Sequence, residues 1–283
     1  MRTRYRTLSS AACTIAAILW TAAAAAQPPA ASAALDAALA GRHRSAANSA
    51  RDRYRHPKET LTFFGFRPDM TVVEIWPGGG WYTEVLAPAL ANGGKLYVAQ
   101  YGAKPPFPYQ QREMDTLAGK IRAFPELYRT VMPTVMDLFA DDVEIAPPGT
   151  ADLVVTFRNV HNWFEDGYGP PNAPDRALAA MFKALKPGGV LGVVDHRWPD
   201  PGTEDPKAAN GYVSEQRVIA LAERAGFKLA ARSDVNRNPA DTHDYEGGVW
   251  TLPPDLAQGE VDRTKYLGVG ESDRLTLRFV KPQ

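Results

Sequence analysis

Cysteine is all but missing from this chain: Cys13 is the only one in 283 residues. It lies inside an N-terminal apolar run. Loss of that run would leave no thiol, which excludes disulfide staples and cysteine nucleophiles from the mature protein. Neither sign of charge is in excess, because Lys plus Arg and Asp plus Glu each number 32. A general basic field for nucleic acid is therefore not implied, and nucleic acid is not expected as a partner. Beyond the N-terminus no apolar run is long enough to span a bilayer. The run from Ala11 to Ala26 is itself short and alanine-rich against the requirement of about 20 strongly apolar residues. The G-x-G-x-x-G fingerprint of dinucleotide sites and any internal repeat are also lacking.

What is present begins with an export signature. Arg2, Arg4 and Arg6 precede the apolar run, and Ala24-Ala25-Ala26 offers a small-residue cleavage site before Gln27. With no adjacent arginine pair, this reads as a Sec-type signal over residues 1–26, and the expected location is periplasmic or secreted. Residues 27–44, rich in Ala and Pro, predict a flexible leader, and residues 45–283 the folded domain. Arg51, Arg53 and Arg55 fall in a mixed, polar stretch. They read as a solvated helix at the domain edge rather than as a phosphate site.

From there the pattern alternates. Short apolar runs at 71–75, 95–99, 151–157 and 190–194, with a weaker one at 130–135, read as strands. Helical stretches at 81–90, 111–123, 175–185 and 214–225 separate or follow them. Strands near 227–233 and 274–280 close the chain, as an antiparallel pair on one sheet edge. Such alternation predicts an α/β fold: a doubly wound, mostly parallel seven-stranded sheet with helices on both faces.

In that architecture the ligand sits beyond the strand ends beside the first strand. Glu74-Ile75-Trp76-Pro77-Gly78-Gly79-Gly80 occupies that place. A glycine turn admits close backbone approach, and an acid at the strand end suits an ammonium better than a pyrophosphate. This segment resembles the first motif of class I S-adenosylmethionine-dependent methyltransferases, whose Rossmann-like sheet carries an acid and a glycine turn around the amino-acid part of the cofactor. Residues 151–155, Leu185-Lys186-Pro187-Gly188-Gly189 and Ala225-Gly226-Phe227 resemble later elements in the same order. Arg55-His56-Pro57, Phe63-Phe64-Gly65, Pro77 through Glu84, Arg158-Asn159-Val160-His161, Val194-Asp195-His196-Arg197 and Asn238-Pro239-Ala240-Asp241 together resemble a family of exported bacterial predicted methyltransferases.

The resemblance implies S-adenosylmethionine as cofactor, with Glu74, Trp76, Gly78, Gly80 and Gln100 around it. Two positions depart from the usual pattern. Trp76 replaces the first glycine, and Gln100 stands where an acid often holds the ribose hydroxyls. Trp76, Trp81 and Tyr82 are expected near the cofactor end, either facing a sulfonium or packing under the sheet.

Methyl transfer from a sulfonium needs alignment, plus a base only where the acceptor carries a proton. Asn159, His161 and His196 are the catalytic candidates: His161 as base, with Asn159 orienting the acceptor. A metal site from His161, Asp195 and His196 is a second reading, and loop hydrogen bonding a third. His43, His56 and His243 read as surface residues. The expected function is methyl transfer to a small-molecule or envelope substrate. The alternatives are a periplasmic binding protein or retired enzyme on the same fold, and a metal-assisted enzyme.

Overall fold

The computed structural model describes residues 29–283. The signal-peptide reading lies outside the described residues. In chain order the N-terminal part holds helices α1 (Pro29–Leu39), α2 (Ala46–Ser49), α3 (Asp52–Arg55) and α4 (Pro57–Phe63). Strand β1 (Thr71–Ile75), α5 (Thr83–Ala89), β2 (Lys95–Gln100), α6 (Pro108–Ala123) and β3 (Val131–Val135) form the first winding. The second comprises β4 (Ala151–Phe157), α7 (Ala173–Ala184), β5 (Leu185–Trp198), β6 (Val213–Ser214), α8 (Glu215–Arg224) and β7 (Lys228–Arg232). Helix α9 (Arg263–Val269) and β8 (Arg274–Val280) follow.

The sheet order is β3-β2-β1-β4-β5-β8-β7, with the short β6 paired to β5. Strands β1 to β5 pair in parallel, whereas β8 runs antiparallel between β5 and β7. Alternate residues of each strand feed two cores. Val73, Ile75, Val154 and Leu191 pack on one face with Leu178 and Leu221 of α7 and α8. Val72, Leu96 and Val155 pack on the other with Leu35, Phe64 and Leu86. Burial on both faces explains why these strands read as continuous apolar runs. The winding direction reverses between β1 and β4, which opens a cleft past their carboxyl ends.

Three expectations are corrected. The predicted flexible leader contains α1, whose Ala31, Leu35 and Ala38 are buried. Its small side chains let it lie close on α5, so alanine here is packing material rather than slack. The stretch read as a solvated edge helix is α2 to α4, in which Arg55 is 3% exposed. Finally, the Lys186-Pro187-Gly188-Gly189 turn is absorbed into β5 as an irregularity, with Gly188 at φ 78° and a register shift between Ala151 and Leu153. Among the described residues no helix is long and apolar enough to cross a membrane.

Candidate active site

A cavity of about 710 Å³ opens at the carboxyl ends of β1 and β4. The turn after β1 forms its floor. Trp76 adopts a left-handed backbone, φ 39°, where the family pattern has glycine, and Gly78 and Gly80 follow at 58° and 80°. The indole Nε1 of Trp76 donates to the Met136 carbonyl at 3.0 Å, which ties this strained position to the end of β3. At Gly80 a Cβ would lie 2.6 Å from Leu117 Cδ1, so a side chain there would displace that leucine and strain a positive-φ backbone.

Glu74 reaches the cavity from β1 and is 1% exposed. Its only side-chain hydrogen bond among the described residues comes from Thr83 Oγ1, at 2.7 Å. Burial pushes its carboxyl up to about 7, against the lowering effect of Thr83 and Lys120. A carboxylate with unspent acceptor capacity on a cavity floor is a seat for a cationic group.

The Trp81-Tyr82-Thr83-Glu84 run has a separate job for each residue. Thr83 holds Glu74. Glu84, buried, accepts Asn48 Nδ2 at 2.9 Å and pairs with Lys120 at 2.6 Å, while Lys120 also donates to the Gly79 carbonyl. The Tyr82 ring stacks on Phe157 at 3.5 Å between centroids, and its hydroxyl donates to the Arg55 carbonyl. Trp81 lies under the Arg55 guanidinium, 4.6 Å from its ring centroid. This one motif therefore fastens the N-terminal helices over the cavity. Trp76, Trp81 and Tyr82 are all buried and all line the cavity.

On the opposite wall, β4 and β5 are neighbours and bring His161 and His196 to 5.2 Å between ring centroids. Asp195, fully buried, organises both. Its Oδ1 accepts His161 Nδ1 at 2.8 Å and the His196 amide at 2.7 Å, and its Oδ2 accepts the His161 amide at 3.1 Å. With Nδ1 protonated toward the carboxylate, Nε2 is the basic nitrogen of His161. His196 Nδ1 meets Ser272 Oγ at 2.5 Å. Burial, then the charges of His161, Arg274, Arg158 and Arg55, hold its imidazole neutral, well below the usual histidine range.

Asn159 lines the cavity, but its amide is committed to structure. Nδ2 donates to the Ile75 carbonyl at 2.9 Å and to Thr156 Oγ1 at 3.2 Å, which clips the end of β4 to the end of β1. Only its Oδ1 is left for a ligand. Gln100 requires a correction, because it does not line the cavity. Its Oε1 is buried without a partner among the described residues. Tyr101 lines the cavity instead, with its hydroxyl toward Glu113 Oε2 at 3.4 Å. His43, His56 and His243 are half-buried and none of them lines the cavity.

Sequence reasoning missed several cavity residues. Arg158 sits beside the quoted Asn159 and His161, and Arg51 and Arg55 were assigned to solvent. Glu113 and Trp250 carried no local signal, and neither did Glu271, which pairs with Arg51 and Arg55. Asn238-Pro239-Ala240-Asp241 was quoted without a role. Its Asn238 Nδ2 donates to the carbonyls of Val269 and Glu271, and Asp241 accepts the Asp273 amide. The motif thus positions the segment that presents Glu271 and Ser272.

His161, Asp195 and His196 offer ligand atoms within 4.8 Å of one another. Both Asp195 oxygens and both Nδ1 atoms are engaged, so the atoms left to a cation are the two Nε2, and Asp195 would orient His161 rather than ligate. The residues fit S-adenosylmethionine better, since Glu74 suits its ammonium and the glycine turn leaves room for its approach.

No family model matches the chain, and no curated protein matches it by sequence. Solved structures do resemble it. A SAM dependent methyltransferase from Aquifex aeolicus matches 82% of this chain and 93% of its own at 16% identity, TM-score 0.52. Geranyl diphosphate C-methyltransferase from Streptomyces coelicolor A3(2), solved with Mg2+, geranyl diphosphate and S-adenosyl-L-homocysteine, matches 87% of each chain at 15% identity, TM-score 0.53. The [4+2]-cyclase SpnF matches 86% of this chain and 85% of its own at 17% identity, TM-score 0.53. The fold is that of the class I methyltransferases.

Proposed function

We propose that this chain is an S-adenosylmethionine-dependent methyltransferase acting on a small-molecule or envelope substrate. The observation that carries the reading is one cavity with an ammonium-suited carboxylate, Glu74, beside a glycine turn and an Asp195-held imidazole, His161, on the facing wall. Bound cofactor supplies a methyl group on an already activated sulfonium. Glu74 orients the amino-acid end. His161 takes a proton from the acceptor at Nε2, while Asp195 keeps the tautomer and stabilises the imidazolium. Trp76, in ring contact with both Tyr101 and Tyr168, helps exclude water from the cavity. The quoted motifs support membership of the exported bacterial methyltransferase family, and residues 1–26 support a periplasmic or secreted location.

A second reading keeps the fold without methyl transfer, as a binding protein or a different enzyme. It is favoured by Trp76 in the turn and by the absence of Gln100 from the cavity lining. Calorimetric titration with S-adenosylmethionine and S-adenosylhomocysteine separates the two. Micromolar binding, about −8 kcal/mol, is expected. No heat at millimolar ligand would remove the methyltransferase reading.

A further inference from the structure

On one wall of the cavity guanidinium groups outnumber the carboxylates that could neutralise them. Arg51, Arg55 and Arg158 line the cavity, and Arg274 stands behind them at the start of β8. Among the described residues only Glu271 pairs with any of these four. It meets Arg51 Nε at 2.5 Å, Arg55 Nε at 2.9 Å, and Arg274. Burial alone would raise its carboxyl, but Arg274, Arg55 and Arg51 outweigh that and hold it well below the usual carboxylate range. One carboxylate shared by three cations leaves Arg51 Nη2 and Arg55 Nη2 buried with no hydrogen-bond partner among the described residues.

Arg158 is less compensated still. Among the described residues no carboxylate lies within salt-bridge distance of its guanidinium, and Glu113, Glu271 and Asp255 act on it only at longer range. Its backbone is left-handed, φ 62°, held by its amide donating to the Val194 carbonyl at 2.7 Å. Such a conformation is strained for a non-glycine residue and collects at ligand sites. Burial, then Arg274 and Arg51, push its pKa down, and Glu271 and Asp255 offset this only in part. An uncompensated guanidinium cluster facing a cavity is stabilised by an oxyanion that accepts several N–H donors at once.

We infer that Arg158, with Arg51 and Arg55, seats a carboxylate or phosphate group of the methyl acceptor. The assignment to an acceptor rests on the methyltransferase reading. The cofactor's own carboxylate is the competing occupant, and its geometry argues against it. An α-amino acid carries ammonium and carboxylate on one carbon, so a carboxylate seated here would bring the arginines beside Glu74. The charge that acts on Glu74 is Lys120, whereas Arg274, Arg158 and Arg55 all act on His196. The anion seat therefore belongs to the wall that carries His161, where an acceptor meets its base.

The test titrates the whole chain with inorganic phosphate, with benzoate and, separately, with S-adenosylhomocysteine. At least one of the two anions is expected to bind below about 1 mM, with Arg158→Gln weakening it about tenfold and leaving S-adenosylhomocysteine affinity unchanged. Arg158→Lys, which keeps the charge and loses the fork, should fall between. Should Arg158→Gln unfold, Arg51→Gln replaces it, because that side chain is 22% exposed and off the strand end. No binding of either anion below about 10 mM, or equal binding by the variants, overturns the seat. Equal weakening of S-adenosylhomocysteine and the anions overturns the assignment to the acceptor. Anion binding without any binding of S-adenosylhomocysteine keeps the seat and removes the methyltransferase reading on which its occupant was named.

Discussion

Asp195 holds His161 twice, through the ring nitrogen Nδ1 at 2.8 Å and through the backbone amide at 3.1 Å. The double attachment fixes both the ring plane and the chain that carries it, so the imidazole cannot swing without breaking a buried charged hydrogen bond. Long-range proton–nitrogen spectra of the neutral ring should show His161 with the proton on Nδ1. Asp195→Asn should mix the tautomers and, through loss of hydrogen bonds to a buried charge, cost about 2–3 kcal/mol in urea melts. A native spectrum with the proton on Nε2 would count against His161 as base.

Glu74 links pH to stability and to ligand binding in opposite senses. Its carboxyl is raised from 4.5 to about 7 by burial, so the folded state keeps a proton that the unfolded state releases. The unligated protein should therefore lose stability as pH rises from 4.5 to about 7, by at most roughly 3 kcal/mol, and hold level above that. Glu74→Gln should flatten this slope. An ammonium ligand requires the carboxylate, so S-adenosylhomocysteine affinity should fall about tenfold per pH unit below 7, and Glu74→Gln should abolish it. Affinity independent of pH across that window would take Glu74 out of the site.

Glu84 anchors the N-terminal helices through Asn48, Lys120 and the more distant Arg44. Its side chain is 2% exposed, and its removal deprives Asn48 and Lys120 of their carboxylate. Glu84→Ala should destabilise by about 3–5 kcal/mol. Native-state hydrogen exchange should show the loss concentrated in residues 29–64 before the sheet opens.

Gly192 on β5 has no room for a side chain, since a Cβ would lie 2.5 Å from Phe64 Cδ2. Gly192→Ala should cost about 1–3 kcal/mol by overpacking. Phe64→Leu in the same chain should recover part of it, and failure of that rescue would place the strain elsewhere.

The sheet was legible because its strands are buried on both faces. Runs such as Thr71-Val72-Val73-Glu74-Ile75 and Ala151 to Phe157 then stand out as local composition, and Gly78 to Gly80 mark where the backbone must turn. The order of those elements determined the winding, and with it the place of the cleft. Glu74 and His161 line that cleft for the same reason: one lies at the end of β1 and the other in the turn after β4, and strand ends are where this winding puts a ligand.

What the sequence did not disclose depends on partners far along the chain. Arg51 and Arg55 look solvated because their neighbours are polar, yet Glu271 meets them across a separation of 220 and 216 residues. Gln100 was placed one residue out of phase. The next residue, Tyr101, is the one that lines the cavity. The alanine-rich leader is a docked helix because α5 offers a surface for it, and composition alone does not encode that surface. Local pattern thus determined the elements, their order and the glycine turn. The charge of the cavity wall was decided only by tertiary structure, since a buried cation's state is set by which carboxylate the fold brings to it.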